Sequence, residues 1–212
     1  MITNRVLLLR TVLVFWLAKL TFAEEPIPVG TSFVSPNGRY CVQLEIIDRE
    51  TGSGYRGGLP HFVIKDFETG RVDRSIQSTG PLYLHWAANS RAFVTVEHIA
   101  KGSYGRVVYL TGNTWNNVEV NPPVDNKADA MVISVQLGMD SVHYKFAVTK
   151  LARDWTPIDY LFCDLDVSLV TGKVSNVKWT HISEAELAAA PGPDNPVCLP
   201  PMPRERYYHV CE

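Results

Sequence analysis

The chain has 212 residues, 46% hydrophobic and 20% charged, with a formal net charge of −2. That is the length of one compact domain, with enough apolar content for a core without a metal or dense disulfides. A weakly acidic balance excludes the broad basic surface that general nucleic-acid binding requires.

The first predicted element is a leader. Residues 1–10 carry Arg5 and Arg10 and no acid, residues 11–18 are an apolar run, and Thr21, Phe22 and Ala23 end it. Basic start, apolar middle and small-x-small end are the parts of a secretory signal peptide, cut here after Ala23. The competing reading is an uncleaved anchor. Residues 6–23 are near the minimum for a span, however, and Arg10 and Lys19 interrupt them. Removing three basic residues with the leader leaves 17 basic against 22 acidic side chains, a net charge of −5. The expectation is an exported protein, periplasmic or extracellular, with no membrane attachment once processed.

Residues 24–182 read as a β-rich repeat domain. Residues 35–45 lie on residues 87–97 at a constant offset of 52, so that Asn37 meets Asn89, Arg39 meets Arg91, Val42 meets Val94 and Glu45 meets Glu97. A further step of 52 lands on Phe146 and Val148, where only the alternation survives. Each unit has the same order of parts: a polar turn, an alternating strand, a loop, a second strand, a Thr-Gly turn and a last strand. Asn37-Gly38 predicts a two-residue hairpin turn, because both residues tolerate positive φ. The Thr-Gly turns are Thr69-Gly70, Thr111-Gly112 and Thr171-Gly172.

The turn at residues 35–40 followed by an alternating strand resembles the inner hairpin of a WD-repeat-like β-propeller blade. Residues 84–93, with Trp86 before the turn, are similar. The resemblance covers about residues 31–180 and implies an all-β fold of three blade-like units with a binding role. Propellers close with about four to eight blades. Three units therefore leave open a degenerate fourth blade, an open stack or a β-sandwich.

Helix signal is confined to residues 183–190, where Ser183 caps and Glu186 reaches back to it in a capping box. Pro191 stops the helix, and residues 191–212 read as an irregular Pro-rich tail. There are four Cys. Cys198 with Cys211 is the favoured disulfide, closing a short segment without a core of its own. Cys41 and Cys163 read equally well as a bridge or as small buried hydrophobes. No His or Cys spacing suits a metal, and no cofactor is implied.

The candidate ligand-binding residues lie between the first and second strands of each unit. Tyr55 and Arg56 fall in residues 51–60, Tyr104 and Arg106 in residues 100–106, and Arg153 and Trp155 in residues 151–157. Units stacked in register would bring these loops to one side, a surface suited to an anionic or sugar-containing ligand or to a protein hot spot. The plainer reading is that loop tips in β-proteins carry Gly, Tyr and Arg anyway. His85, Trp86 and His98 read as strand residues. Asp164 and Asp166 share one strand face, with Cys163, Leu165 and Val167 on the other. No nucleophile elbow or phosphate loop occurs. The sequence thus favours a non-enzymatic binding module over a small exported hydrolase built from carboxylates and His. Open strand edges also allow self-association.

Overall fold

A computed structural model describes residues 27–47, 58–99, 102–124, 128–152, 157–190 and, for the backbone, 197–199. The leader, Tyr55, Arg56, Arg153, Trp155 and Cys211 lie outside the described residues, as does the side chain of Cys198. The fold is all-β, its strands antiparallel but for two short parallel pairings to the strand Ala128–Leu137, with one short helix.

Twelve strands form three meanders of four. The first is β1 (Ser32–Val34), β2 (Tyr40–Ile47), β3 (Leu59–Asp66) and β4 (Arg71–Gln77), each strand paired to the next. The second is β5 (Pro81–Trp86), β6 (Ala92–Ile99), β7 (Gly102–Thr111) and β8 (Thr114–Val120). The third is β9 (Ala128–Leu137), β10 (Ser141–Leu151), β11 (Pro157–Ser168) and β12 (Val174–His181). One bridge, Gly102 to Ala130, joins the second meander to the third. A strand absent from the sequence reading, β13 (Val197–Leu199), runs parallel to β9, so the tail is not irregular throughout. Among the described residues the sheets do not close into a ring.

The turns explain why these residues alternate in strands. Ser35 donates its amide to the Tyr40 carbonyl and accepts from the Gly38 amide, both at 2.8 Å. Ala87 does the same with Ala92 and Ser90, at 2.8 and 2.9 Å. Asn37 Oδ1 accepts from the Arg39 amide at 3.1 Å, and Asn89 Oδ1 from the Arg91 amide at 2.9 Å. The first two copies therefore share a conformation as well as a sequence. The turn is a four-residue loop rather than the expected two-residue one, with Gly38 and Ser90 at φ of 75° and 57°. The two turns touch, because the Asn37 amide donates to Ser90 Oγ at 2.9 Å. Gly70, Gly112 and Gly172 of the Thr-Gly turns all have positive φ, the conformation glycine adopts without penalty.

The third copy corrects the offset. Its turn holds two residues, since Gly138 donates to the Ser141 carbonyl and Leu137 pairs with Val142. Val142 takes the place that Phe93, opposite Trp86, holds in the second meander. A step of 52 from Val94 thus reaches the opposite sheet face, which is why only the alternation survives there.

The meanders pack face to face around two cores. Phe33, Tyr40, Val42, Leu44, Phe62, Ile64 and Ile76 of the first meet Leu84, Trp86, Phe93, Val108 and Trp115 of the second. Val94, Val96, Val107 and Val120 of the second meet Tyr144, Phe146, Val148 and Leu165, among others, of the third. The buried indoles have partners: Trp86 Nε1 donates to the Phe33 carbonyl at 3.0 Å and Trp115 Nε1 to Asp73 at 3.3 Å. The helix, α1 (Glu184–Ala189), buries none of its residues and carries the full capping box of Ser183 and Glu186.

Gly105 sits where β7 of the second meander lies against Tyr144 of the third. A Cβ there would overlap the Tyr144 ring, whose hydroxyl donates to the Arg106 carbonyl at 3.2 Å. Gly105→Ala should therefore cost about 1–3 kcal/mol by overpacking, a fall in Tm of several degrees. A calorimetric Tm unchanged from wild type would contradict this packing.

Candidate functional site

The face of the second meander that meets the first turns from apolar to polar along its length. Trp86, Phe93, Val108 and Trp115 fill one end. Thr95, Glu97, Tyr104, Arg106, Asn117 and Glu119 share hydrogen bonds at the other. The switch follows the period of two: on β6, Phe93, Thr95 and Glu97 share a face, as Tyr104, Arg106 and Val108 do on β7.

Glu97 is fully buried and accepts five hydrogen bonds. Oε2 takes Ser78 Oγ at 2.9 Å, the Thr79 amide at 3.0 Å and Tyr104 Oη at 2.9 Å. Oε1 takes Thr95 Oγ1 at 3.1 Å and Arg106 Nε at 2.6 Å. Arg106, with 5% of its side chain exposed, also donates to Tyr104 Oη at 2.8 Å, Asn117 Oδ1 at 3.2 Å and, more weakly, Glu119 Oε1 at 3.4 Å. Burial alone would lower the pKa of Arg106, but the Glu97 carboxylate outweighs it and holds it above its ordinary value. Burial raises the Tyr104 phenol, against the opposing bond from Thr79 and with the Glu97 charge adding to it.

The Tyr104, Arg106, Asn117 and Glu119 part of this network borders a cleft of about 400 Å³ between β4 of the first meander and β7 and β8 of the second. Arg74, Ile76, Gln77 and Thr79 line one side, and Tyr104, Arg106, Asn117 and Glu119 the other. The size is that of a small-molecule site, though the lining is more polar than is usual.

Two of the six candidate ligand residues, Tyr104 and Arg106, thus meet in one site, but not as expected. They lie within β7 and are 5% and 4% exposed, rather than at a loop tip. Only two residues separate β6 from β7, because Ile99 pairs with Gly102. The glycines at 102 and 105 read as loop, yet they serve close approach. A Cβ at Gly102 would meet the Ala130 carbonyl. The other four candidates fall outside the described residues.

Asp164 and Asp166 share an outward face, with Cys163, Leu165 and Val167 buried behind them. His143 on β10 bridges the two, Nδ1 to Asp166 at 2.9 Å and Nε2 to Asp164 at 3.2 Å. Asn176 donates to Asp166 at 2.8 Å, and with His143 it holds that carboxyl below its ordinary value. Among the described residues no group of His, Cys, Asp and Glu suits a metal. Trp86 is core, and His98 is exposed. Burial lowers the pKa of His85, whose Nδ1 has no hydrogen-bond partner among the described residues. Cys41 is disulfide-bonded and Cys163 is a free buried thiol, so these two do not bridge each other. Burial, with Asp164 adding, pushes the Cys163 thiol up to about 11.

Removing one member of a buried ion pair leaves the other uncompensated, a loss of about 3–5 kcal/mol. Arg106→Met should show that loss in urea unfolding, and adding Glu97→Leu should recover much of it. A double variant no better than the single would show that the two charges do not act as a pair.

Asp66 is also held below its ordinary value. Burial opposes this, but Arg39 at 2.9 Å and the Glu68 amide outweigh it. A lowered folded pKa contributes stability above the unfolded value, and that stability is lost as pH falls through the folded one. The double change D66N/D166N should flatten the fall in stability between about pH 4 and pH 2. A wild-type slope in acid melts would refute that.

The chain matches no protein-family model, and no curated protein is similar to it in sequence.

Proposed function

We propose that this is an exported, non-enzymatic binding module that holds a small polar ligand in the cleft between its first two meanders. The observation that carries this is the state of the charged groups there. Glu97 has its lone pairs taken by five donors, and Arg106 is tied to Glu97, Tyr104 and Asn117. A general base needs a free lone pair within reach of a substrate proton. A receptor needs donors and acceptors fixed in advance, because preorganisation lowers the cost of binding.

Export is supported by the leader pattern and by the disulfide at Cys41, since disulfides persist in oxidising compartments. The three meanders are read as blades of an open propeller-like stack. The matched turns at Ser35 and Ala87 and the three positive-φ glycines support that reading. The free edges of β4 and β12 offer self-association as a secondary property.

N-terminal sequencing of the secreted product should begin at Glu24; intact Met1 on the product would remove the export reading. For binding, the purified protein is screened by thermal shift against amino acids, neutral sugars and small carboxylates. A ligand at about 100 times its Kd stabilises by about 2.7 kcal/mol. One class should raise Tm by several degrees, and Arg74→Met should abolish the shift. A screen in which no class stabilises, or in which a hit is chemically converted, would overturn the proposal.

A further inference from the structure

The charges lining the cleft fall into two sets. Arg106 is neutralised by Glu97, which is buried behind it and does not itself line the cleft. Arg74 and Glu119 remain, on opposite walls. Arg74 projects from β4 toward the second meander, because it pairs with Ile64, a residue of the first core. Among the described residues Arg74 makes no ion pair or side-chain hydrogen bond. Glu119 pairs with Arg106 across β7 and β8, keeps 58% of its side chain exposed, and has one contact at 3.4 Å. No salt bridge joins Arg74 to Glu119.

We propose that the cleft takes a zwitterionic ligand of the α-amino-acid class, its carboxylate on Arg74 and its ammonium on Glu119. This rests on reading the cleft as a ligand site. A guanidinium offers a planar two-pronged donor that matches a carboxylate. A half-exposed carboxylate is an acceptor for an ammonium. The walls together carry no net charge, so a plain anion would gain at Arg74 and lose at Glu119. A neutral sugar gains most from an aromatic face to stack on, and among the described residues the cleft's one aromatic ring, Tyr104, is 5% exposed. Among the described residues Ile76 is the one aliphatic side chain in the lining, which favours a short polar side chain. Asn117 supplies an amide for it.

The probe is L-serine, titrated into the ¹⁵N-labelled protein, with L-serine methyl ester, N-acetyl-L-serine, succinate and D-glucose as comparisons. L-Serine should shift side-chain resonances of Arg74 and Asn117. The ester and the N-acetyl form should each bind at least ~10-fold more weakly, as should L-serine to Arg74→Met and to Glu119→Gln. No shift up to about 50 mM, enough to reveal a millimolar site, would overturn the proposal. So would blocked forms that bind as well as L-serine. If succinate or glucose shifts the same residues and L-serine does not, the zwitterion class is wrong while the binding reading stands.

Discussion

The second meander is buried on both faces, and this constraint governs the rest of the molecule. Each of its strands must satisfy two cores at once. On β6, Ala92, Val94 and Val96 face the third meander while Phe93, Thr95 and Glu97 face the first. A slip of one residue in pairing would exchange the two sets, placing Glu97 among the valines. Register is therefore fixed doubly, and the backbone must come close on one side. Gly105 lets the Tyr144 ring lie against β7, and the Tyr144 hydroxyl binds the Arg106 carbonyl. The residue that sets the spacing of the second core thus also steadies the strand that carries the polar site of the first.

Burying Glu97 and Arg106 is not an obvious way to gain stability. Desolvating both ions costs several kcal/mol each, and apolar residues of similar volume often do as well or better. What the pair provides is a fixed arrangement. Each Glu97 oxygen has at least two donors, so the carboxylate has one orientation, and Arg106 follows it. The Tyr104 hydroxyl joins both, donating to Glu97 and accepting from Arg106. Such a network holds Asn117 at a set position and leaves Glu119 more exposed beside it. Apolar residues in its place would leave Asn117 to its rotamers.

How much of this was legible depended on range. Local signals were read correctly where a short segment determines its own geometry, as with the Ser183 capping box, the Thr-Gly turns, and the alternation that buries Leu165 and turns half-buried Asp166 outward. Gly-rich stretches misled. Residues 102–106 read as a loop because Gly102, Ser103 and Gly105 have weak strand propensity, yet in a strand glycine also marks close approach of another chain segment. That approach comes from Ala130 and Tyr144, distant in sequence. The His143 bridge to Asp164 and Asp166 depends on which strands pair, and nothing local to residue 143 announces it. The signal for the cleft was present in the constant offset that matched Glu45 to Glu97. It showed a repeated position without showing which copy would be buried.

That difference follows from the order of the layers. Glu45 and Glu97 sit at the same place in their units, both on the face that looks back along the stack. Behind Glu97 lies the first meander, so its side chain is buried and must find Arg106 and four further donors. The face carrying Glu45 is the outer one of the first meander. There Glu45 pairs with Lys65 at 2.9 Å, with 35% and 31% of the two side chains exposed. In that setting an ion pair is worth about 1 kcal/mol or less. The same residue at the same repeat position is therefore a marginal surface contact in one copy and the centre of a buried polar network in the next. What sets Glu97 apart is the layer packed against it, and a repeat acquires such a network where two units meet rather than within either one.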